Sequence, residues 1–261
     1  MKKWIGMLFF ITFIFQWQQP ISANENINLQ NLDDISNYAW QLSKQSRLEE
    51  AKQLLLYFEK EFQKKDVESQ LSMNELRVIS TSYHEALSSL EKEGISYEDR
   101  IAKVTQFRLV VDAILSEHQP LWSTMEEPMM TTFAEMKTEA ENGNRSAFQH
   151  EWNRFLSLYS IIYPSLVVDV SNENIEKIET HISAVNDKLF FEISTKTRSQ
   201  KLLEMEKDLK NIFRRVKNDE ADPSLLWVMI STGSVIFIAL AYTGWKKYKG
   251  EKSDKTKERH K

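Results

Sequence analysis

His84 and Glu85, in the segment YHEALSS, are the nearest the chain comes to a catalytic signature. A zinc-protease helix needs histidines at i and i+4, so that both imidazoles meet one metal while a glutamate between them serves as base. The residue four after His84 is Ser88, so that pattern is broken and the pair is expected on a polar helix surface. His118, His150 and His181 stand singly, without acids and a second histidine at ligand spacing. No G-x-S-x-G elbow is present to expose a serine nucleophile, and no Gly-rich loop to cradle phosphates. Glu49/Glu50 and Glu126/Glu127 are adjacent pairs. Neighbours on a helix point about 100° apart and do not converge on one substrate. The expectation is therefore no catalytic residue, no cofactor and no metal ligand.

Recognition is better represented than catalysis. Phe148, Trp152, Phe155 and Tyr159 recur at helical steps and form an aromatic stripe. Such a stripe is core by default; the alternative is that Trp152 and Tyr159 line a groove for a partner. Arg145, Trp152 and Tyr159 are spaced by sevens, in a row rotated about 60° from Phe148, Phe155 and Ile162. That places them at the border of core and solvent. Interface energy concentrates in Trp, Tyr and Arg, so these three are the candidate partner-binding residues.

The elements that must position them are helices. Between Asn24 and Asp222 stand only two glycines and three prolines, too few breakers for a turn-rich β fold. Apolar residues recur instead at helical spacing. Leu32, Ile35 and Ala39 mark a first helix, and Ala51, Leu55, Phe58 and Phe62 a second. Ser72-x-x-Glu75 reads as a capping box and Gly94 as the end of the third helix. Ser96 opens a fourth, which stops before Pro120. Pro128 suits the first turn of a fifth, which ends at Asn142-Gly143, and Asn144 caps a sixth that stops before Pro164. The β-branched run SLVVDVS is expected as a short extended connector or a lone strand. Two more helices follow, through Ile175, Ile178, Ile182, Val185 and Leu189, then Leu202, Met205 and Leu209. The expected fold is all-α, an extracytoplasmic bundle or short α-solenoid of about eight helices.

Both ends point to a membrane. Leu225–Trp245 holds no charged residue in 21 positions, close to the ~20 a helix needs to cross a bilayer. Trp227, Tyr242 and Trp245 flank it, as interfacial rings do. The tail from Lys246 carries eight Lys/Arg against three acids, a bias that holds the C-terminus inside. At the other end, Lys2 and Lys3 precede an apolar run and QWQQPISA, the parts of an export signal cut after Ala23, with an uncleaved anchor as the alternative. The organisation read is 1–23 signal peptide, 24–222 extracytoplasmic helical domain, 225–245 transmembrane helix and 246–261 cytoplasmic tail. The chain carries a net charge of −4. Removing the two leading lysines and the tail's excess of five leaves −11 for the exterior. That charge repels phosphates and argues against nucleic acid or anionic lipid as a partner of the exterior domain. The chain has no cysteine, so the exterior domain holds together by its core alone.

The export signal, the acidic helical exterior, GNRSAFQHEWNRF with YPSL downstream, the late span and the lysine-rich tail together resemble the sporulation protein YpjB family of endospore-forming bacilli. The resemblance implies a membrane protein with a role in sporulation and brings no catalytic residues with it. The expected function is a single-pass, non-catalytic interaction module at the cell membrane with an unidentified protein partner. The alternatives are a sensor or accessory subunit of a membrane signalling complex and, third, a cell-wall hydrolase.

Overall fold

The computed structural model describes residues 26–115 and 119–219. Two units are distinguished, Met1–Ile212 and Phe213–Lys261, and the described part of the second is the last turns of one helix. The expected signal at 1–23 and span at 225–245 lie outside the described residues. No helix among the described residues is long and apolar enough to cross a membrane.

Every element described is helical. The order is α1 Asn26–Lys44, α2 Leu48–Phe62, the single turn α3 Lys65–Glu68, α4 Met73–Glu91 and α5 Tyr97–Leu115. A 3-10 turn, Leu121–Met125, leads to α6 Glu126–Glu141, α7 Arg145–Asp169 and α8 Asn172–Asn186; a second, Lys188–Phe191, leads to α9 Thr195–Asp219. Helices α1 and α2, α4 and α5, and α6 and α7 pack as consecutive hairpins. The hairpins join through α5, which lies against α1 on one side and α7 on another.

Local chemistry sets most boundaries. The Ser72 hydroxyl accepts from Glu75 N at 3.3 Å and the Glu75 carboxylate accepts from Ser72 N at 2.7 Å, closing the capping box on α4. Asp99 N donates to Ser96 Oγ at 3.0 Å and Ala147 N to Asn144 Oδ1 at 3.2 Å, so α5 and α7 begin where their caps stand. Gly94 (φ +80°) and Gly143 (φ +72°) occupy left-handed turns that a side chain would strain. Arg100 reaches back from α5 and donates to the carbonyls of Leu90 at 3.0 Å and Lys92 at 2.5 Å. It thereby satisfies orphan acceptors at the end of α4.

One boundary departs from expectation. The sixth long helix does not stop before Pro164, and SLVVDVS is not an extended connector: α7 runs 25 residues through the proline to Asp169. The reason is tertiary. Ser165 and Leu166 are buried, and Val167 and Val168 pack on the cluster of α1, α2, α4 and α5 centred on Leu55, Phe58, Ile79 and Phe107. That packing outweighs both the lost backbone donor of Pro164 and the strand preference of valine. Leu189 also departs from its expected place in the helical stripe. It lies in the second 3-10 turn and is 63% exposed.

The middle of α5 is enclosed on all sides. Gln106 through Asp112 are all buried, including Arg108 and Asp112. Arg108 Nη1 donates to Asp33 Oδ1 at 2.6 Å and to Ser36 Oγ at 3.2 Å, which ties α5 to α1. Asp112 Oδ2 accepts from Leu121 N at 2.6 Å, which fastens the chain returning after Pro120. Beside it the Trp122 indole donates to Asp169 Oδ2 at 2.7 Å, joining that turn to the end of α7.

Candidate functional site

A groove of about 930 Å³ lies between α4, α5 and α7. Thr81, His84, Glu85 and Ser88 form one wall, Ala102, Lys103 and Gln106 the floor, and Ser157, Ser160 and Ile161 the wall given by α7. The Arg100 clamp fixes the α4–α5 turn and so the mouth of the groove. Glu85 is held in place: its Oε2 accepts from Lys103 Nζ at 2.7 Å and from Gln106 Nε2 at 3.3 Å. The hydroxyls of Ser157 and Ser160 donate backward to the carbonyls of Asn153 and Ser157, at 3.0 and 2.8 Å. Their oxygens are left as acceptors along the α7 wall. The groove thus offers acceptors on one side, the His84 ring and Ser88 on the other, and an ammonium–carboxylate–amide group on its floor.

Sequence reading passed over one spacing here. Ser89-x-x-Lys92 matches the serine–lysine nucleophile pattern and both residues line the groove. The geometry is not that of a dyad, because Ser89 is 3% exposed and its hydroxyl donates to Ala86 O at 2.7 Å. His84 sits against the Tyr83 ring. Among the described residues no group of three or more His, Cys, Asp or Glu is placed to hold a metal. Nothing in the groove pairs a nucleophile with a base at hydrogen-bonding distance; what it can do is bind polar and small apolar groups.

The aromatic row differs from expectation. Trp152 is 1% exposed, stacks on Phe155 at 5.5 Å and donates its indole proton to Asn186 Oδ1 at 2.7 Å. Tyr159 is 7% exposed and stacks on Phe155 at 6.3 Å. Burial lifts its phenol pKa well above the ordinary tyrosine range, with the Glu179 carboxylate adding to the effect. Both residues are core, not border. The offset of 60° is too small where α7 is covered by α5 and α6 and also by α8, through Asn186, and by Phe190 of the second 3-10 turn. Arg145 alone of the three faces solvent. Its guanidinium lies over the Phe191 ring at 5.5 Å and 3.8 Å from Glu192.

The remaining sequence candidates scatter. His181 meets Asp208 at 3.0 Å, linking α8 to α9. His150 is exposed beside Glu151 in a second concavity, of about 720 Å³, where Arg154 pairs with Glu135 and Glu151. His118 lies outside the described residues. Glu50 pairs with Arg47 and Glu49 accepts from Gln53, so these adjacent acids serve local pairs rather than one site.

Similarity to known proteins decides the family. The model of the family described as Sporulation protein YpjB (SpoYpjB) matches residues 29–258. The chain belongs to this sporulation protein family. It is 38% identical over 256 residues to the uncharacterized protein YpjB of Bacillus subtilis (strain 168), a match that covers 97% of each chain. No solved structure matches. The matched span takes in every helix from α2 to α9 and hence all three sides of the groove, so groove and family coincide.

Proposed function

We propose that the protein is a membrane-anchored, non-catalytic helical interaction module that works outside the cytoplasm during sporulation. In this reading the groove between α4, α5 and α7 receives a protein partner. The carrying observation is the groove's construction: about 930 Å³ of open space in which Glu85, Lys103 and Gln106 bond to one another and Ser157 and Ser160 to main chain. Sites of roughly 300–1,000 Å³ suit a peptide segment or small ligand, and the fixed hydrogen bonds pre-organise recognition. Membrane attachment is supported by the uncharged run at 225–245 and the basic tail behind it. Family membership supplies the sporulation context.

A sensor or accessory subunit is the second reading, favoured by one feature. Helix α9 runs without glycine or proline from Thr195 to Asp219, and only five residues separate it from Leu225. A helix that ends so near the uncharged run can pass a displacement on as well as anchor. Exchanging 225–245 for an unrelated apolar helix separates the two: the anchor reading expects normal sporulation, the sensor reading a loss.

The partner site is tested by a photo-reactive side chain placed at Ser88 or Ser157 in sporulating cells, with Gln149, outside the groove, as control. A discrete adduct from the two groove positions and none from Gln149 is expected. The same adduct from all three positions, or from none, contradicts the proposal.

A further inference from the structure

Helix α9 carries two opposed stripes. Arg198, Leu202, Met205 and Leu209 are buried against the body of the domain. Lys196, Gln200, Leu203, Lys207 and Lys210 are all exposed, at steps of four, three, four and three residues. With about 100° per residue, those steps keep the five within a band roughly 80° wide, on the side away from the buried stripe. Arg214, also exposed, continues the spacing. No acid enters this row. Glu204 is exposed on one flank and accepts from Gln200 at 2.9 Å; Glu206 lies on the other, where it pairs with Lys137 at 3.0 Å and Lys210 at 2.6 Å, and Asp208 turns to His181.

The sign of this face is contrary to its surroundings. The helix holds eight Lys/Arg against four Asp/Glu, within an exterior of net charge −11. The rest of the exterior therefore stands at −15. A protein surface sorted in this way presents one face to an anion and turns the remainder away from it.

Position selects the anion. Five residues lie between the end of α9 at Asp219 and the uncharged run at Leu225. Fully extended they reach no more than about 18 Å, so the chain tethers the end of α9 within that distance of the uncharged run. Lysine and arginine stems, with Leu203 midway along the row, can lie along such a layer while their charges meet phosphate.

We propose that the outward face of α9 docks the exterior domain on anionic phospholipid headgroups of the membrane that holds the span. The acidic remainder is repelled by the same surface, so charge selects which side of the domain turns to the bilayer. This rests on the membrane reading above and adds a second contact to it.

The full chain has no cysteine, so Gln200→Cys gives a single thiol for a fluorophore on this face, and Ser157→Cys a control on α7. Each labelled protein is reconstituted in phosphatidylcholine vesicles, with or without phosphatidylglycerol, that contain a headgroup-nitroxide lipid. Quenching at Gln200→Cys is expected only with phosphatidylglycerol. It should fall several-fold in high salt and in the triple variant Lys196→Gln/Lys207→Gln/Lys210→Gln, whose circular dichroism should match the parent. Ser157→Cys should stay unquenched. Equal quenching without the anionic lipid, or in the triple variant, overturns the proposal. So does loss of quenching to added soluble polyglycerol phosphate, which would assign the face to a phosphate polymer instead. Protein that stays with the vesicles through an alkaline wash but shows no quenching removes the docking proposal alone. Protein that leaves the vesicles removes the membrane reading and the proposal together.

Discussion

The indole N–H of Trp152 on α7 donates to the side-chain carbonyl of Asn186, the last residue of α8, at 2.7 Å. One bond thus ties the ring inside the core to the end of α8.

Trp152→Ala removes that bond and a ring that is 1% exposed. It should destabilise the protein by about 3–5 kcal/mol, as large buried aromatics do. Arg145→Ala, on an exposed side chain, should cost within about 0.5 kcal/mol. Chemical denaturation of the purified variants checks both, and a Trp152→Ala variant of parental stability would contradict the packing described.

Arg108 is the only cation bonded to Asp33 and Asp112 among the described residues, and its side chain is 7% exposed. Arg108→Ala leaves those carboxylates without it and should cost about 3–5 kcal/mol. Arg108→Ala/Asp112→Asn should recover part of that loss, because the double variant no longer holds a buried charge without its partner. Equal stability of the two variants would show that the guanidinium does not serve Asp112.

Two carboxylates should shape the pH dependence in opposite directions. Burial holds the Asp112 pKa above its ordinary value, against the Leu121 N–H and Arg108, which pull it down. A group raised on folding contributes stability at low pH that is lost as pH rises through the folded pKa. Asp112→Asn should therefore gain on the wild type as pH rises from about 4 toward neutrality. Glu206 is the reverse case, held below the ordinary glutamate value chiefly by its bond to Lys210. Its contribution is present above the unfolded pKa and lost as pH falls through the folded one. The deficit of Glu206→Gln should shrink below about pH 4. Melting temperatures across acid and neutral pH measure both trends, and parallel curves for all three proteins would refute them.

Much of the fold was readable because its boundaries are local. Ser72 with Glu75, Ser96 with Asp99, and Asn144 cap their helices through residues three apart, a distance any sequence displays. The end of α7 was not readable in this way. Val167 and Val168 are helical because they meet a core built from residues more than fifty positions earlier. The burial of Arg108 and Asp112 was hidden for a similar reason, since their partners lie on α1 and after Pro120. Trp152 and Tyr159 were assigned to a border that α8 and the second 3-10 turn remove. The groove has walls from three helices, and only its His84-Glu85 segment stood out beforehand.

Membrane topology gives a further expectation. Lys207, Lys210, Arg214, Arg215 and Lys217 precede the uncharged run and eight Lys/Arg follow it. On that bias the tail is expected inside. Alkaline phosphatase fused after Asp219 should be active and fused after Lys261 inactive. The reverse pattern would place the helical domain in the cytoplasm.

The groove as a partner site is tested most directly by filling it. Ser157 is exposed on the α7 wall, so Ser157→Trp can occupy the space without entering the core. In sporulating cells the account predicts a variant of parental abundance and melting temperature whose spore yield falls to that of a deletion strain. Parental spore yield with Ser157→Trp in place would contradict it.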